Sequence, residues 1–379
     1  MKVLIAPDSF KGSLSAVEVA DYIERGLLKV CKDVKVIKLP MADGGEGTVD
    51  TILAALSGKF IEAEVTGPLG NQVIAGFGLI DKGRTAIIEM AAASGYTLIP
   101  EDQANPMKTT TYGTGELIKA ALDKGVEEII LGIGGSATND AGVGMAQALG
   151  VSFLDNADKD IGFGGGELSR IKKIDCSCLD SRIEKVNIKV ACDVNNPLYG
   201  ENGAAYVYGP QKGATDKMVK TLDKNLRHIA KLIKNKTGID LQTVPGAGAA
   251  GGLGGGLKAF LDAELLSGID IILDTYNIDD KIKGTDLVIT GEGKIDKQTM
   301  NGKVPLGVAR MANHYSIPVV AIAGMVVSDE CSELNEYIDC IFSITQAPVD
   351  IEQAKKQTSS WIEFTTQQII NFYLLKNND

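Results

Sequence analysis

Residues 131–144 read LGIGGSATNDAGVG, and the interpretation of this glycine turn decides the fold. Gly132, Gly134 and Ala137 spell G-x-G-x-x-A directly after the apolar run Ile129–Leu131, and a helical pattern follows. Asp155 closes the next apolar run, near the distance at which a dinucleotide site places its ribose-binding acid. One reading is a nicotinamide-dependent dehydrogenase of a small hydroxy acid. The other is a backbone turn that approaches a different ligand. A dinucleotide fingerprint normally opens its fold, whereas this one begins near residue 132. Ser136, Thr138, Asn139 and Asp140 also make the turn more polar than one that passes straight into an apolar helix face.

Outward from this turn the chain alternates strand-like and helical patterns. At the start, VLIAPDS reads as a strand, Ala16–Leu28 as an amphipathic helix, VKVIKLPMA as a strand and Thr48–Leu56 as a helix. That β-α-β-α order implies parallel strands with right-handed crossovers. FIEAEVTGP, QVIAGFGLI and TAIIEMA follow, joined by short turns that favour antiparallel pairing. Glu116–Leu122 and Thr215–Lys234 carry helical spacing, and Asp270–Leu273 fits either a short strand or a helix end. From Thr285 the regular pattern returns with DLVITGEG, PVVAIAG and CIFSIT, and the chain closes on a helix over Ser359–Tyr373. The expected architecture is α/β with two unlike domains: residues 1–60 plus 285–379 from both chain ends, and residues 61–284 inserted with a mixed sheet. A cleft made by such an arrangement is a favoured place for an active site.

Composition narrows the function. A net charge of −11 disfavours nucleic acid or an anionic membrane as partner. No apolar run approaches the roughly 20 residues that span a bilayer. The cysteines form no C-x-x-C pair and read as reduced thiols of a cytoplasmic protein. The two histidines, His228 and His314, lie in helical patterns without a paired ligand motif, so a general base is expected to be a carboxylate. Trp361, in the last helix, reads as packing. There is no Walker P-loop and no G-x-S-x-G elbow.

Several strand-like runs end in an acid followed by turn residues: Asp8, Asp43 in ADGGEGT, Asp193, and Glu292 in GEGKID. In open parallel sheets ligands bind at the carboxyl ends of strands, where such acids can hold a metal or act as bases. Helix capping is the structural alternative for each of them. Ser9 and Lys11 stand in a βα loop, and Lys11 can reach a carboxylate or phosphate or simply be solvated. The stretch 244–260, VPGAGAAGGLGGGLKAF, is too long for a simple turn. It fits either a nucleotide-wrapping loop or a close helix–strand crossing. TGEGKIDKQTMNGKVP, residues 290–305, offers Glu292, Lys294, Asp296 and Lys303 to a metal–phosphate centre.

VLIAPDSFKGSLSA, PMADGGEGT, GIGGSATNDAGVG, PGAGAAGGLG and DLVITGEGKIDKQT occur in this order along essentially the whole chain. Together they resemble the glycerate kinase family of the type I, bacterial kind. The resemblance implies ATP- and Mg²⁺-dependent phosphorylation of D-glycerate to 2-phosphoglycerate or 3-phosphoglycerate. It implies one flavodoxin-like domain with a Rossmann-type parallel sheet, and one of restriction-endonuclease-like topology, with the site between them. On that basis Asp193, or else Asp43, is expected to take the hydroxyl proton. Glu292 and Asp296 are expected to hold Mg²⁺. Ser9, Lys11, Gly134, Gly135, Ser136, Thr138 and Asn139 are expected to bind glycerate or the transferring phosphate, and Gly246, Gly248, Gly251, Gly252 and Gly254 to bind ATP. Homodimerisation is left open. A further alternative, a non-catalytic two-lobed binding protein, predicts tight binding of a small acid without ATP consumption. The strand-end acids weigh against it, because an anion binder collects positive groups.

Overall fold

The structure, a computed structural model, describes residues 1–42, 44–45 and 47–376, with no side-chain account of Asn301 or Lys376. Its strands are β1 (Lys2–Pro7), β2 (Lys35–Lys38), β3 (Lys59–Thr66), β4 (Gln72–Ile80), β5 (Thr85–Glu89), β6 (Glu128–Gly132) and β7 (Ser152–Leu154). They continue with β8 (Lys173–Asp175), β9 (Asn187–Ala191), β10 (Glu264–Leu266), β11 (Leu287–Ile295), β12 (Val319–Val326) and β13 (Cys340–Ser343). Contacts divide the chain into two units: Met1–Asp43, Asp50–Leu56 and Ile269–Asp379 form the first, Gly44–Val49 and Ser57–Gly268 the second. Residues 57–60 therefore pack with the second unit and 269–284 with the first.

The first unit holds a five-stranded sheet in the order β13-β12-β11-β1-β2, with every pairing parallel. Counted within this unit the order is 2-1-3-4-5, the flavodoxin-like arrangement, with its switch point between β1 and β11. Central β1 and β11 are apolar on both faces because helices cover both sides. The helix Ala16–Val30 starts at Ser15, whose hydroxyl accepts from the Glu18 N–H while the Glu18 carboxylate accepts from the Ser15 N–H. It crosses the final helix, Ile351–Lys376, so closely that a Cβ on Gly26 would lie 2.7 Å from Glu363 O. Ile23 and Leu27 pack there with Trp361, Ile362 and Ile370. Each such aliphatic side chain contributes about 1.5–3 kcal/mol on full burial. The 270–273 run is settled as part of a helix, Gly268–Thr275.

The second unit is built on a six-stranded mixed sheet, β10-β9-β6-β5-β4-β3. β3, β4 and β5 pair antiparallel, whereas β5, β6, β9 and β10 run parallel. The β4–β5 connection is the tight turn Asp81-Lys82-Gly83, all three at positive φ. β7 and β8 form a separate antiparallel pair. The helix Asp216–Thr237 is capped by Thr215 and ends at Gly238 with φ 80°, and it buries Leu222, Leu226, Ile229 and Ile233. His228 serves packing: its Nε2 lies 2.8 Å from Ile171 O.

Candidate active site

In a 2-1-3-4-5 sheet the ligand crevice opens outside the carboxyl ends of the strands at the switch point. Pro7 of β1 pairs with Gly291 of β11, and the Asp8 N–H donates to Gly291 O at 2.8 Å, so Asp8 and Glu292 emerge side by side. Asp8 is buried and its Oδ1 accepts from the Ser9 N–H at 2.6 Å. Ser9 is half-buried and Lys11 exposed. A Cβ on Gly293 would lie 3.3 Å from Lys11 N, so the Ser9–Lys11 loop rests directly on β11. The structure thus brings Ser9, Lys11, Glu292 and Asp296 to one edge of the first unit.

Glu292 is buried. Its Oε1 accepts from Thr299 Oγ1 at 2.5 Å and its Oε2 lies 3.3 Å from Lys303 Nζ. Burial pushes its carboxyl above the usual range, against the pull of Thr299 and Lys303. Asp296 caps the short turn Lys297–Asn301 through the Gln298 N–H, and Lys294 Nζ stands 2.8 Å from its Oδ2. The Lys294 contact holds the Asp296 carboxyl below its ordinary value. Mg²⁺ is usually bound by one or two carboxylates together with substrate phosphates, and this pair fits that use. Among the described residues no group of three metal-ligating side chains forms an all-protein cage.

In the second unit the parallel strands β5, β6 and β9 end at Glu89, Gly132 and Ala191. Gly44, Gly45 and Val49 approach these ends and the turn after β6. A Cβ on Gly132 would sit 2.3 Å from Gly44 O, and one on Gly44, at φ 81°, would sit 2.4 Å from Ala191 Cβ. The Val49 N–H donates to Glu89 Oε1 at 2.8 Å. Asp43 lies outside the described residues. Asp193, two residues beyond β9, is exposed, and its Oδ1 accepts from the Gly268 N–H at 2.9 Å.

The turn that follows β6 is exposed at Gly134 and Gly135 and buried from Ser136 to Asp140. Beneath it lies Lys212, 5% exposed, with Nζ 2.6 Å from Ser136 Oγ and 2.7 Å from Thr138 O. Burial lowers its pKa to about 7, against the attraction of Asp140. Asp140 is itself buried. It accepts from the Thr111 N–H and hydroxyl and from the N–H groups of Gly142 and Gly144. Desolvation still raises its pKa. Asn139 is wholly buried, and neither its amide oxygen nor its amide nitrogen has a partner among the described residues; the Thr138 hydroxyl is in the same position. Buried polar groups cost free energy unless paired, so these atoms mark a place for a polar ligand or water.

Gly246, Gly248, Gly251, Gly252 and Gly254 have a different surrounding from that of a nucleotide-wrapping loop. The stretch is a helix, Ala249–Leu261, whose opening residues Ala250, Gly251 and Gly252 are left-handed. A Cβ on Gly251 would lie 1.9 Å from Thr138 O, one on Gly248 2.2 Å from Pro197 O, and one on Gly254 2.5 Å from Gly246 O. The Gly251 carbonyl accepts from the Ala141 N–H at 3.1 Å. Glycine is needed here for close approach to the protein's own backbone, and the stretch supports the 138–142 segment from behind. The G-x-G-x-x-A match also loses its dinucleotide meaning. No helix starts at Ala137: residues 137–142 intervene before the short helix Val143–Ala148. Asp155 instead accepts from the Ala157 and Lys159 N–H groups in its own turn.

A family model described as the glycerate kinase family matches residues 3–374. The chain belongs to the glycerate kinase family. It is 54% identical over 376 residues to the glycerate kinase of Haemophilus influenzae, covering 99% of this chain and 100% of the relative. It is 51% identical over 354 residues to a protein named glycerate 2-kinase from Escherichia coli K12, covering 93% of each. A crystal structure assigned as glycerate kinase 2 from Salmonella typhimurium LT2 superposes with a TM-score of 0.92 at 47% identity, covering 100% of both chains. Family membership makes the chain a phosphotransferase that needs a phosphate donor. It sets aside the dehydrogenase and the non-catalytic binding protein.

Lys212 and Thr111 are the site features that the sequence did not mark, and Asp140 was marked only as one of the polar residues of the turn. Lys212 stands in GPQKGAT between turn residues, where a lysine ordinarily points into water. The polarity of the 136–140 turn was the one local sign that a charged partner would be needed beneath it.

Proposed function

We propose that the protein transfers the γ-phosphoryl group of ATP to the 2-hydroxyl of D-glycerate, giving 2-phosphoglycerate. The observation that carries this reading is the 134–140 turn: exposed Gly134 and Gly135, a buried Lys212 hydrogen-bonded to Ser136 and Thr138, and in the same turn an Asn139 amide with no partner among the described residues. Such a seat suits a small anion with hydroxyl groups. The Escherichia coli relative's name supports the 2-position.

Phosphoryl transfer asks mainly for positioning and charge neutralisation. In this reading Gly134, Gly135, Ser136, Thr138 and Asn139 seat glycerate. Asp193, oriented by the Gly268 N–H, takes the proton of the attacking hydroxyl. Asp43 is the second candidate. Ser9 and Lys11 face the phosphate chain. Glu292 and Asp296 hold Mg²⁺, which when bound neutralises charge on the phosphates. The glycines at 246–254, which the resemblance assigns to ATP, act in this reading on the glycerate seat, because Gly251 packs against Thr138 from behind.

The test is a coupled ADP-release assay with D-glycerate, ATP and Mg²⁺, followed by NMR of the product. Folded protein that releases no ADP above background refutes the reading. Phosphorus coupled to the C3 protons instead of the C2 proton would assign 3-phosphoglycerate.

A further inference from the structure

Lys212 is buried at a cost that calls for a function. Taking an ammonium out of water costs several kcal/mol, and the two hydrogen bonds it makes return only part of this. The short turn Pro210–Lys212 is locked by Gly213 at φ 88°, where a Cβ would meet Ala104 O at 2.3 Å. That lock directs the lysine inward, onto Ser136 Oγ and Thr138 O. Asp140 supplies the opposite charge.

The rest of the 134–138 turn is tied down residue by residue. The Tyr96 N–H donates to Gly135 O, the Ala137 N–H donates to Ser94 O, and Thr109 Oγ1 donates to Ala137 O at 2.7 Å. Among the described residues none of the N–H groups of Gly134, Gly135 and Ser136 makes a hydrogen bond. Gly135 has φ 73°, so the chain bends sharply where these amides are presented. Consecutive backbone N–H groups on such a bend form a concave anion seat.

We propose that Lys212 is the positioning residue of the substrate turn: by holding Ser136 Oγ and Thr138 O it fixes the Gly134, Gly135 and Ser136 amides in the arrangement that receives the carboxylate of glycerate. This rests on the glycerate-phosphorylating reading above. Lys212 acts through the turn and does not itself touch the reacting atoms.

The experiment compares full-length wild type with Lys212→Met, Ser136→Ala and the double variant, varying glycerate and ATP separately. Lys212→Met should raise the glycerate KM about tenfold or more, the equivalent of one lost hydrogen-bonded contact, with the ATP KM within about twofold. Ser136→Ala should move it in the same direction by about three- to fivefold, and the double variant should be no worse than Lys212→Met alone. A merely structural lysine would lower the active fraction and the unfolding temperature and leave both KM values unchanged. Should Lys212→Met fail to fold, Ser136→Ala alone decides, and an unchanged glycerate KM there overturns the inference. An active wild type with unchanged glycerate KM in the variants overturns this inference only. A wild type inactive on glycerate overturns the assigned reaction and this inference with it.

Discussion

Lys212→Met should change how the stability of the protein depends on pH. The folded lysine has its pKa lowered from 10.5 to about 7, chiefly by burial. At roughly 1.4 kcal/mol per unit, that gap corresponds to about 5 kcal/mol. At pH values below about 7 the ammonium is charged in folded and unfolded chains alike, and the folded state bears the full cost of burying it. Between about 7 and 10.5 the folded protein holds the neutral amine while the unfolded chain keeps its proton, so stability rises with pH. The neutral amine retains two N–H donors for its two acceptors, Ser136 Oγ and Thr138 O. Methionine has no proton to lose, and titrating groups other than Asp140, which is coupled to Lys212, cancel when wild type and variant are subtracted. Urea unfolding at about pH 7.5 and about pH 9 should show wild type gaining about 2 kcal/mol on the variant over that interval. A difference that stays flat with pH would mean that Lys212 titrates alike in both states, and would refute the burial argument.

Asp193→Asn should lower kcat by about 10²–10⁴-fold while glycerate binding, followed by calorimetry, is retained; undiminished turnover removes Asp193 as the base. Gly251→Ala should destabilise the second unit by about 3–5 kcal/mol in denaturant titrations, because φ is 68° and the new Cβ would fall 1.9 Å from Thr138 O. Thr299→Val should cost about 1–3 kcal/mol in thermal unfolding at neutral pH, since it removes the hydroxyl donated to the buried Glu292 carboxylate. Chelation of Mg²⁺ by EDTA should abolish turnover without shifting the unfolding transition, because among the described residues no side-chain cage depends on a metal.

Much of the fold was legible because its signals are local. The apolar runs of β1, β11 and β12, the helical spacing of Ala16–Leu28, and the turn Asp81-Lys82-Gly83 between β4 and β5 each announce an element from a few neighbouring residues. Acids and glycines at strand ends likewise pointed to the carboxyl edge of each sheet. The strand β10 carries no such mark: it is three residues long and forms by pairing with β9. The glycines of 246–256 look the same in sequence whether they approach a phosphate or a carbonyl of the same chain.

By itself the sequence determined the α/β class, the order of the longer elements at both chain ends, the acids at their ends and the family resemblance. All of these rest on periodicity, capping and motif order within short windows. Tertiary structure alone decided the 2-1-3-4-5 strand order that sets Asp8 beside Glu292, and the burial of Lys212 beneath Ser136 and Thr138. Those pairings join residues far apart in the chain, 284 positions in one case and 76 in another. The charge and solvation of a side chain are fixed by what surrounds it, and for Lys212 those surroundings come from distant parts of the sequence.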